Sequence, residues 1–232
     1  MKIAICISGH IRTFEKTIGQ MKKCVDGHDV DYFVHTWDNF GFTRDWTLPI
    51  DESRKLDLEY IVRFVDPVVC VIDEPSQVDL KIPEKWTPMP GHNHVVPKRV
   101  YSQFYKVNAC DRLRLAYQRD RSISYDLVIR WRPDLFLRDF DPATVTIDPG
   151  VINILHDPYL PQYFKRELGS VSDLFACGHP DAMEKYASHF EHFRDYNEDS
   201  VYLQAEYLLG YHIRKMGLKV IELPITSHLI RG

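Results

Sequence analysis

Cysteine is scarce in this sequence and is never paired in the chain. The five cysteines, Cys6, Cys24, Cys70, Cys110 and Cys177, are odd in number, widely spaced and never in a C-x-x-C arrangement. That speaks against a disulfide framework or a structural zinc site and for a reducing, cytoplasmic setting. No run approaches the ~20 apolar residues that a membrane span needs, so no transmembrane segment is expected, while peripheral membrane contact stays possible. An excess of positive charge is missing too: 29 Lys and Arg stand against 33 Asp and Glu, a formal net charge of −4. Nucleic acid gathered by a broad basic field is therefore not expected, and any phosphate partner must be held locally. Neither G-x-G-x-x-G nor G-x-S-x-G occurs, which removes the dinucleotide fingerprint and the serine nucleophile elbow. Internal repeats and low-complexity tracts are absent.

What is present is a chain of 232 residues, 44% hydrophobic and 27% charged, as expected of one folded α/β domain over residues 1–232. It opens with Lys2-Ile3-Ala4-Ile5-Cys6-Ile7 and runs into Ser8-Gly9 without a small-residue cleavage site, so it reads as a buried strand and not a signal peptide. Helical spacing follows at Phe14, Ile18, Met21 and Val25, then a strand from Val30 to Trp37, a helix from Leu56 to Val65 and a strand from Val68 to Ile72. This alternation predicts a mostly parallel sheet flanked by helices.

Residues 75–97 carry Pro75, Pro83, Pro88, Pro90 and Pro97 with no periodicity. They read as a long loop and a candidate flap over a site. Further on, an amphipathic helix is predicted over Arg99–Arg119 and a buried strand over Tyr125–Arg130, interrupted by Trp131-Arg132-Pro133-Asp134 before Leu135-Phe136-Leu137. Strands are predicted at Val151–Leu155, Asp173–Cys177 and Leu218–Leu223, and helices at Pro180–Phe193 and Asp199–Met216.

The segment Tyr125–Asp134 concentrates chemistry. An apolar run leaves the core and presents Arg130, Arg132 and Asp134 at the strand end where α/β sheets bind ligands. An aspartate there can hold Mg²⁺ or Mn²⁺ against a diphosphate, with arginines clamping the same phosphates. The competing reading is a salt-bridged strand end with a proline turn. Ser8-Gly9 and Arg12 at the end of the first strand present the same alternatives: a glycine that lets a ligand approach the backbone, or a plain strand-to-helix turn. Asp173 opens an apolar strand, which disfavours an idle carboxylate. The histidine pairs His92/His94 and His189/His192 lack a third zinc ligand at the usual spacing, and burial would make Cys177 inert.

The order Ile5-Cys6-Ile7-Ser8-Gly9-His10-Ile11-Arg12, Asp31-Tyr32-Phe33-Val34-His35-Thr36-Trp37, Ser102-Gln103-Phe104-Tyr105 and Tyr125–Asp134 resembles small glycosyltransferases of the GT-A fold from bacterial and viral surface-glycan pathways. The resemblance continues through Ser172–Gly178, Asp181-Ala182-Met183 and Glu206-Tyr207-Leu208-Leu209. It implies a single GT-A-like, Rossmann-like domain that takes a nucleotide-diphosphate sugar donor and glycosylates a hydroxyl of a glycan or lipid-linked acceptor. It implies a donor site of Ser8, Gly9, Arg12, Gln103, Arg130, Arg132 and Asp134, and acceptor-side carboxylates Asp173 and Glu206. A divalent cation, Mn²⁺ or Mg²⁺, would sit on Asp134 and His228. The D-x-D common in such enzymes is reduced here to Arg132-Pro133-Asp134. That departure keeps metal dependence open and supports the rival reading, a non-catalytic nucleotide- or sugar-binding module. Asp199, most simply a helix N-cap, is the remaining acid.

Overall fold

The computed structural model describes residues 1–41, 53–90, 95–157, 160–166 and 168–230. In chain order these form β1 (Lys2–Ser8), α1 (Phe14–Cys24), β2 (Asp29–Trp37), α2 (Leu58–Phe64), β3 (Pro67–Asp73), α3 (Pro97–Arg121), β4 (Leu127–Trp131) and β5 (Leu135–Arg138). Then come β6 (Val151–Leu155), α4 (Gln162–Arg166), β7 (Phe175–Gly178), α5 (Pro180–Ala187), α6 (Phe193–Glu198), α7 (Ala205–Lys215), β8 (Lys219–Leu223) and β9 (Thr226–Leu229). Seven strands make one sheet in the order β3-β2-β1-β4-β7-β6-β8, and β5 pairs with β9 in a small separate ribbon. All neighbours in the large sheet are parallel except β7, which runs against both β4 and β6. The architecture is the α/β sheet, mostly parallel and flanked by helices, that the alternation of apolar runs predicts.

Side-chain alternation along β1 divides the core in two. Ile3, Ile5 and Ile7 are fully buried in the layer that holds Phe14, Ile18 and Met21 of α1, each such burial being worth roughly 1.5–3 kcal/mol. Ala4 and Cys6 point to the other layer, with Phe104, Val107 and Cys110 of α3. These small residues let α3 lie close on the sheet: Cys110 Sγ is 3.6 Å from the Ile7 carbonyl oxygen and 3.5 Å from that of Phe33.

Several predicted boundaries move. The helix expected over Asp199–Met216 starts at Ala205, because Ser200 adopts φ +57° and breaks the backbone path. Gln204 caps it, its Oε1 accepting the Tyr207 N–H at 2.6 Å. Asp199 closes α6 instead, donating its own N–H to Asp195 O at 2.8 Å, so it is not an N-cap. The single helix expected over Pro180–Phe193 is α5, a 3₁₀ turn at Ser188–His192 and then α6. Asp173 lies two residues ahead of β7 and does not open it.

The proline-rich loop ends one residue sooner than expected, since Pro97 is the first residue of α3, where its missing N–H is harmless. Its described part is fastened to the body. Trp86 Nε1 donates to Val201 O at 3.0 Å, the Leu203 N–H donates to Thr87 O at 2.9 Å, and Met89 is buried. His92 and His94 lie outside the described residues. Among the described residues no helix is long and apolar enough to cross a membrane.

Candidate functional site

From β1 the sheet grows through β2 to β3 on one side, and the chain returns at β4 on the other. The carboxyl ends of β1 and β4 therefore flank a topological switch point, where open α/β sheets leave a crevice. Gly9 takes φ +108°, and among the described residues, its chain neighbours aside, no atom lies within 4 Å of where a Cβ would stand. The Gly9 N–H donates to His35 O at 3.2 Å, and Ser8 beside it is buried.

Arg132 leaves β4, Pro133 turns the chain, and Asp134 comes back beneath the arginine. Leu135 N–H donates to Arg132 O at 3.1 Å and Thr17 Oγ1 to Pro133 O at 2.5 Å, which pin the turn to α1. Arg132 grips Asp134 with two donors, Nε to Oδ1 at 3.0 Å and Nη2 to Oδ2 at 3.2 Å. Arg12 adds Nη1 to Oδ2 at 3.3 Å while its Nε donates to Gly41 O at 2.9 Å. The Asp134 side chain is only 3% exposed. Burial by itself would raise its pKa, but the charges of Arg132 and then Arg12 carry it below the usual carboxylate range. Behind this turn the chain's last strand closes a clasp: the Ile230 N–H donates to Asp134 O at 2.8 Å, and Thr13 Oγ1 donates to Ile230 O at 2.5 Å.

The acidic side follows from the reversed direction of β7. Phe175 pairs with Trp131 at the end of β4, so the residues just before β7, and not those after it, reach the crevice. Asp173 is among them. Gln103 Nε2 of α3 donates to Asp173 Oδ2 at 2.5 Å, and Arg130 Nη1 donates to the Asp173 carbonyl oxygen. Arg130 is only 3% exposed, so it acts as a strut under Asp173 and does not face the crevice as expected. Gln103 likewise orients Asp173 in this structure.

Glu206 stands in the first turn of α7, hydrogen-bonded by the Gln204 amide. Burial, and next the charge of Asp173, push its pKa up to about 7. Arg132 feels both carboxylates, its own pKa raised against burial by Asp134, Asp173 and Glu206. Two further links lock α7 to the loop carrying Asp173. The Val171 N–H donates to Glu206 O at 3.1 Å, and Arg214 Nη1 donates to Gly169 O at 2.6 Å. Gly210 is what allows this approach: a Cβ there would fall 2.0 Å from Gly169 O.

A cluster of Lys106, Asp73, Tyr105 and His35 was not assigned a role from the sequence, and Lys106 and Asp73 were not singled out at all. Lys106 of α3 has no exposed surface and donates to Thr36 O at 2.7 Å and to Asp73 Oδ2 at 2.8 Å, 3.7 Å from the Trp37 ring centroid. Tyr105 OH donates to the same Asp73 oxygen at 3.0 Å, and His35 Nε2 lies 3.6 Å from it. Burial lowers Lys106 to about 8 despite Asp73. The one available signal was a lysine four residues before Cys110, on a helix stripe that is otherwise buried.

The residues do not suit a divalent cation on Asp134. Both of its oxygens already accept guanidinium donors. Among the described residues no three His, Cys, Asp or Glu side chains gather as ligands. His228 is exposed on β9 and lines a groove of about 610 Å³ with His156, Glu222 and Pro224–Ser227, a lining that includes neither Asp134 nor the two arginines.

No protein-family model matches the chain, and no curated protein sequence matches it. Among the solved structures similar to it are two of one protein. One is the galactosyltransferase LgtC in complex with donor and acceptor sugar analogs, 8% identical over 100% of this chain and 87% of that one, with TM-score 0.47. The other is an active-site mutant of LgtC, 9% identical over 90% of this chain and 69% of that one, with TM-score 0.45. At such identities no residue role passes from them to this chain.

Proposed function

We propose that the crevice takes a nucleoside-diphosphate sugar and that the protein transfers the sugar to a hydroxyl of a glycan or lipid-linked acceptor. The observation that carries this reading is the meeting, at the β1/β4 switch point, of an arginine pair with two carboxylates of which one is poised near neutral pH: Arg12 and Arg132 on one side, Asp173 and Glu206 on the other.

Each part has a task in sugar transfer. As the bond from the anomeric carbon to the diphosphate oxygen breaks, the electron pair leaves with the diphosphate, and fixed guanidinium charges favour that developing anion. The acceptor oxygen forms the new bond to the anomeric carbon and gives up its proton. Glu206 takes this proton, since a base with a pKa of about 7 is half-available at neutral pH and still strong enough to accept. Asp173, held by Gln103 and by its own backbone link to Arg130, orients the acceptor hydroxyl.

The test is a panel of nucleotide sugars, each offered with glycan and lipid-linked acceptors, reading release of nucleoside diphosphate and transfer of sugar. One donor should be consumed, and Glu206→Gln should lower that rate by roughly two to four orders of magnitude while nucleotide binding persists. Binding of a nucleotide sugar with no turnover under any acceptor would instead support the non-catalytic module.

A further inference from the structure

The arrangement of Asp134 points beyond a generic donor site. Resting on the reading that the crevice takes a nucleoside diphosphate, we propose that this diphosphate is neutralised by Arg12 and Arg132 without a divalent cation, and that Asp134 is the positioning residue that aims the two guanidinium groups.

The argument begins with valence. A carboxylate offers about four lone-pair directions, and Asp134 spends three of them on Arg132 Nε, Arg132 Nη2 and Arg12 Nη1. Its backbone oxygen is spent as well, on the Ile230 N–H. A Mg²⁺ or Mn²⁺ ion bonds carboxylate oxygen at about 2.1 Å, so an ion on Asp134 would sit inside the shell that the guanidinium groups now occupy. It would either repel both at short range or expel one. Expulsion would leave the buried Asp134 to trade one guanidinium partner for the ion and a half-buried arginine without its counter-ion, a costly outcome. Among the described residues no second acid gathers with Asp134 as a ligand. The nearest carboxylates that Arg132 senses, Asp173 and Glu206, belong to the acceptor side, and Asp173 is tied to Gln103.

The same geometry suits phosphate directly. A guanidinium carries five N–H donors in a planar fork that matches phosphate oxygens two at a time. Asp134 uses the Nε and Nη2 positions of Arg132 and leaves its Nη1 turned elsewhere, on a side chain that is 20% exposed. Fixed from below by one shared carboxylate, the two arginines cannot swing apart, and that rigidity is what a diphosphate clamp requires. The replacement of the first acid of D-x-D by Arg132 then has a physical meaning, because one cationic side chain stands where a metal ligand would be.

Equilibrium binding of UDP, GDP, ADP and CDP to the full chain, measured by calorimetry in EDTA, in Mg²⁺ and in Mn²⁺, tests this with no variant at all. The expected result is that the preferred diphosphate binds equally well in all three buffers and more weakly as salt rises. Arg132→Ala should weaken it by about 100-fold, as for a truncated partner of a desolvated charge pair, with Arg132→Lys recovering only part because the fork is lost. Asp134→Asn should weaken the diphosphate while leaving binding of the unphosphorylated nucleoside unchanged, which a general loss of structure would not do. Binding that appears only with Mg²⁺ or Mn²⁺ overturns the proposal and leaves the glycosyltransferase reading standing. Absence of diphosphate binding in every buffer overturns both.

Discussion

Lys106 Nζ lies 2.8 Å from Asp73 Oδ2 on a side chain with no exposed surface, and three elements meet in that one contact. The lysine comes from α3, the aspartate from the end of β3, and the Thr36 carbonyl that shares the ammonium from β2. A fully buried ammonium is tolerated only because its donors are used in this way.

Lys106→Met removes the cation and leaves Asp73 with Tyr105 and part of its surface in water. Breaking a buried pair costs 3–5 kcal/mol, and the partly exposed partner puts this one at about 3 kcal/mol. Urea denaturation should show the loss, and the double variant with Asp73→Asn should recover part of it. A midpoint equal to wild type would show that the pair holds nothing together.

Glu206 gives a pH dependence with a definite sign. Its pKa in the folded chain, about 7, stands above the ordinary 4.5, so the folded state holds a proton that the unfolded state releases between those values. The stability this contributes is present below the ordinary pKa and is lost as pH rises through about 7. Thermal melts of Glu206→Gln should therefore gain on wild type as pH goes from about 5 to about 8. Transfer by the wild type should rise over the upper part of the same window, and in the variant it should stay low and flat.

Histidines supply the opposite slope. Burial lowers His10, His35 and His212 to about 4, and it also holds His189 below its ordinary value. The unfolded chain binds these protons first, so stability falls as pH drops below the ordinary 6.5 toward 4. His189 packs edge-on to Phe104, with ring centroids 4.3 Å apart, and beside His212 at 4.8 Å. His189→Leu should flatten the acid limb of a stability-against-pH curve. An unchanged limb would show that His189 contributes nothing to it.

Gly210→Ala tests how the acceptor side is assembled. The added methyl would meet Gly169 O at 2.0 Å, and backbone on both sides leaves little room to yield. Overpacking of this kind costs about 1–3 kcal/mol. The displaced segment carries Asp173, so sugar transfer should fall more than diphosphate binding does. Equal losses in both would mean that the loop and the arginine turn move together.

The layers of this fold were legible because strands buried on both faces are apolar almost throughout, Arg130 in β4 and Asn153 in β6 being the exceptions. Ile3–Ile7, Leu127–Trp131 and Val151–Leu155 announce themselves in that way. Asp134 and Arg132 were legible as neighbours at a strand end, and their pairing across a proline turn was one of the two readings offered there; spacing alone could not choose it, since two residues around a proline can as well splay as pair. Asp173 was expected to open a strand and instead lies two residues ahead of β7. It reaches the crevice only because β7 runs antiparallel, and strand direction leaves no mark in a four-residue apolar run. β9 was invisible, because Thr226–Leu229 is half exposed and becomes a strand only against β5. Lys106 and Asp73 are brought together solely by tertiary packing.

The clasp formed by Ile230 on Asp134 and Thr13 has a practical side. It makes residues 226–230 part of the floor beneath the arginine pair, so the turn that carries Arg12 and the turn that carries Arg132 are sewn together by a third segment. Residues 226–230 are thus a poor place to trim. A protein shortened before Thr226 would keep its large sheet, since β8 still pairs with β6. It should retain most of its circular dichroism and yet lose its grip on diphosphate, a failure easily mistaken for inactivity of the intact molecule.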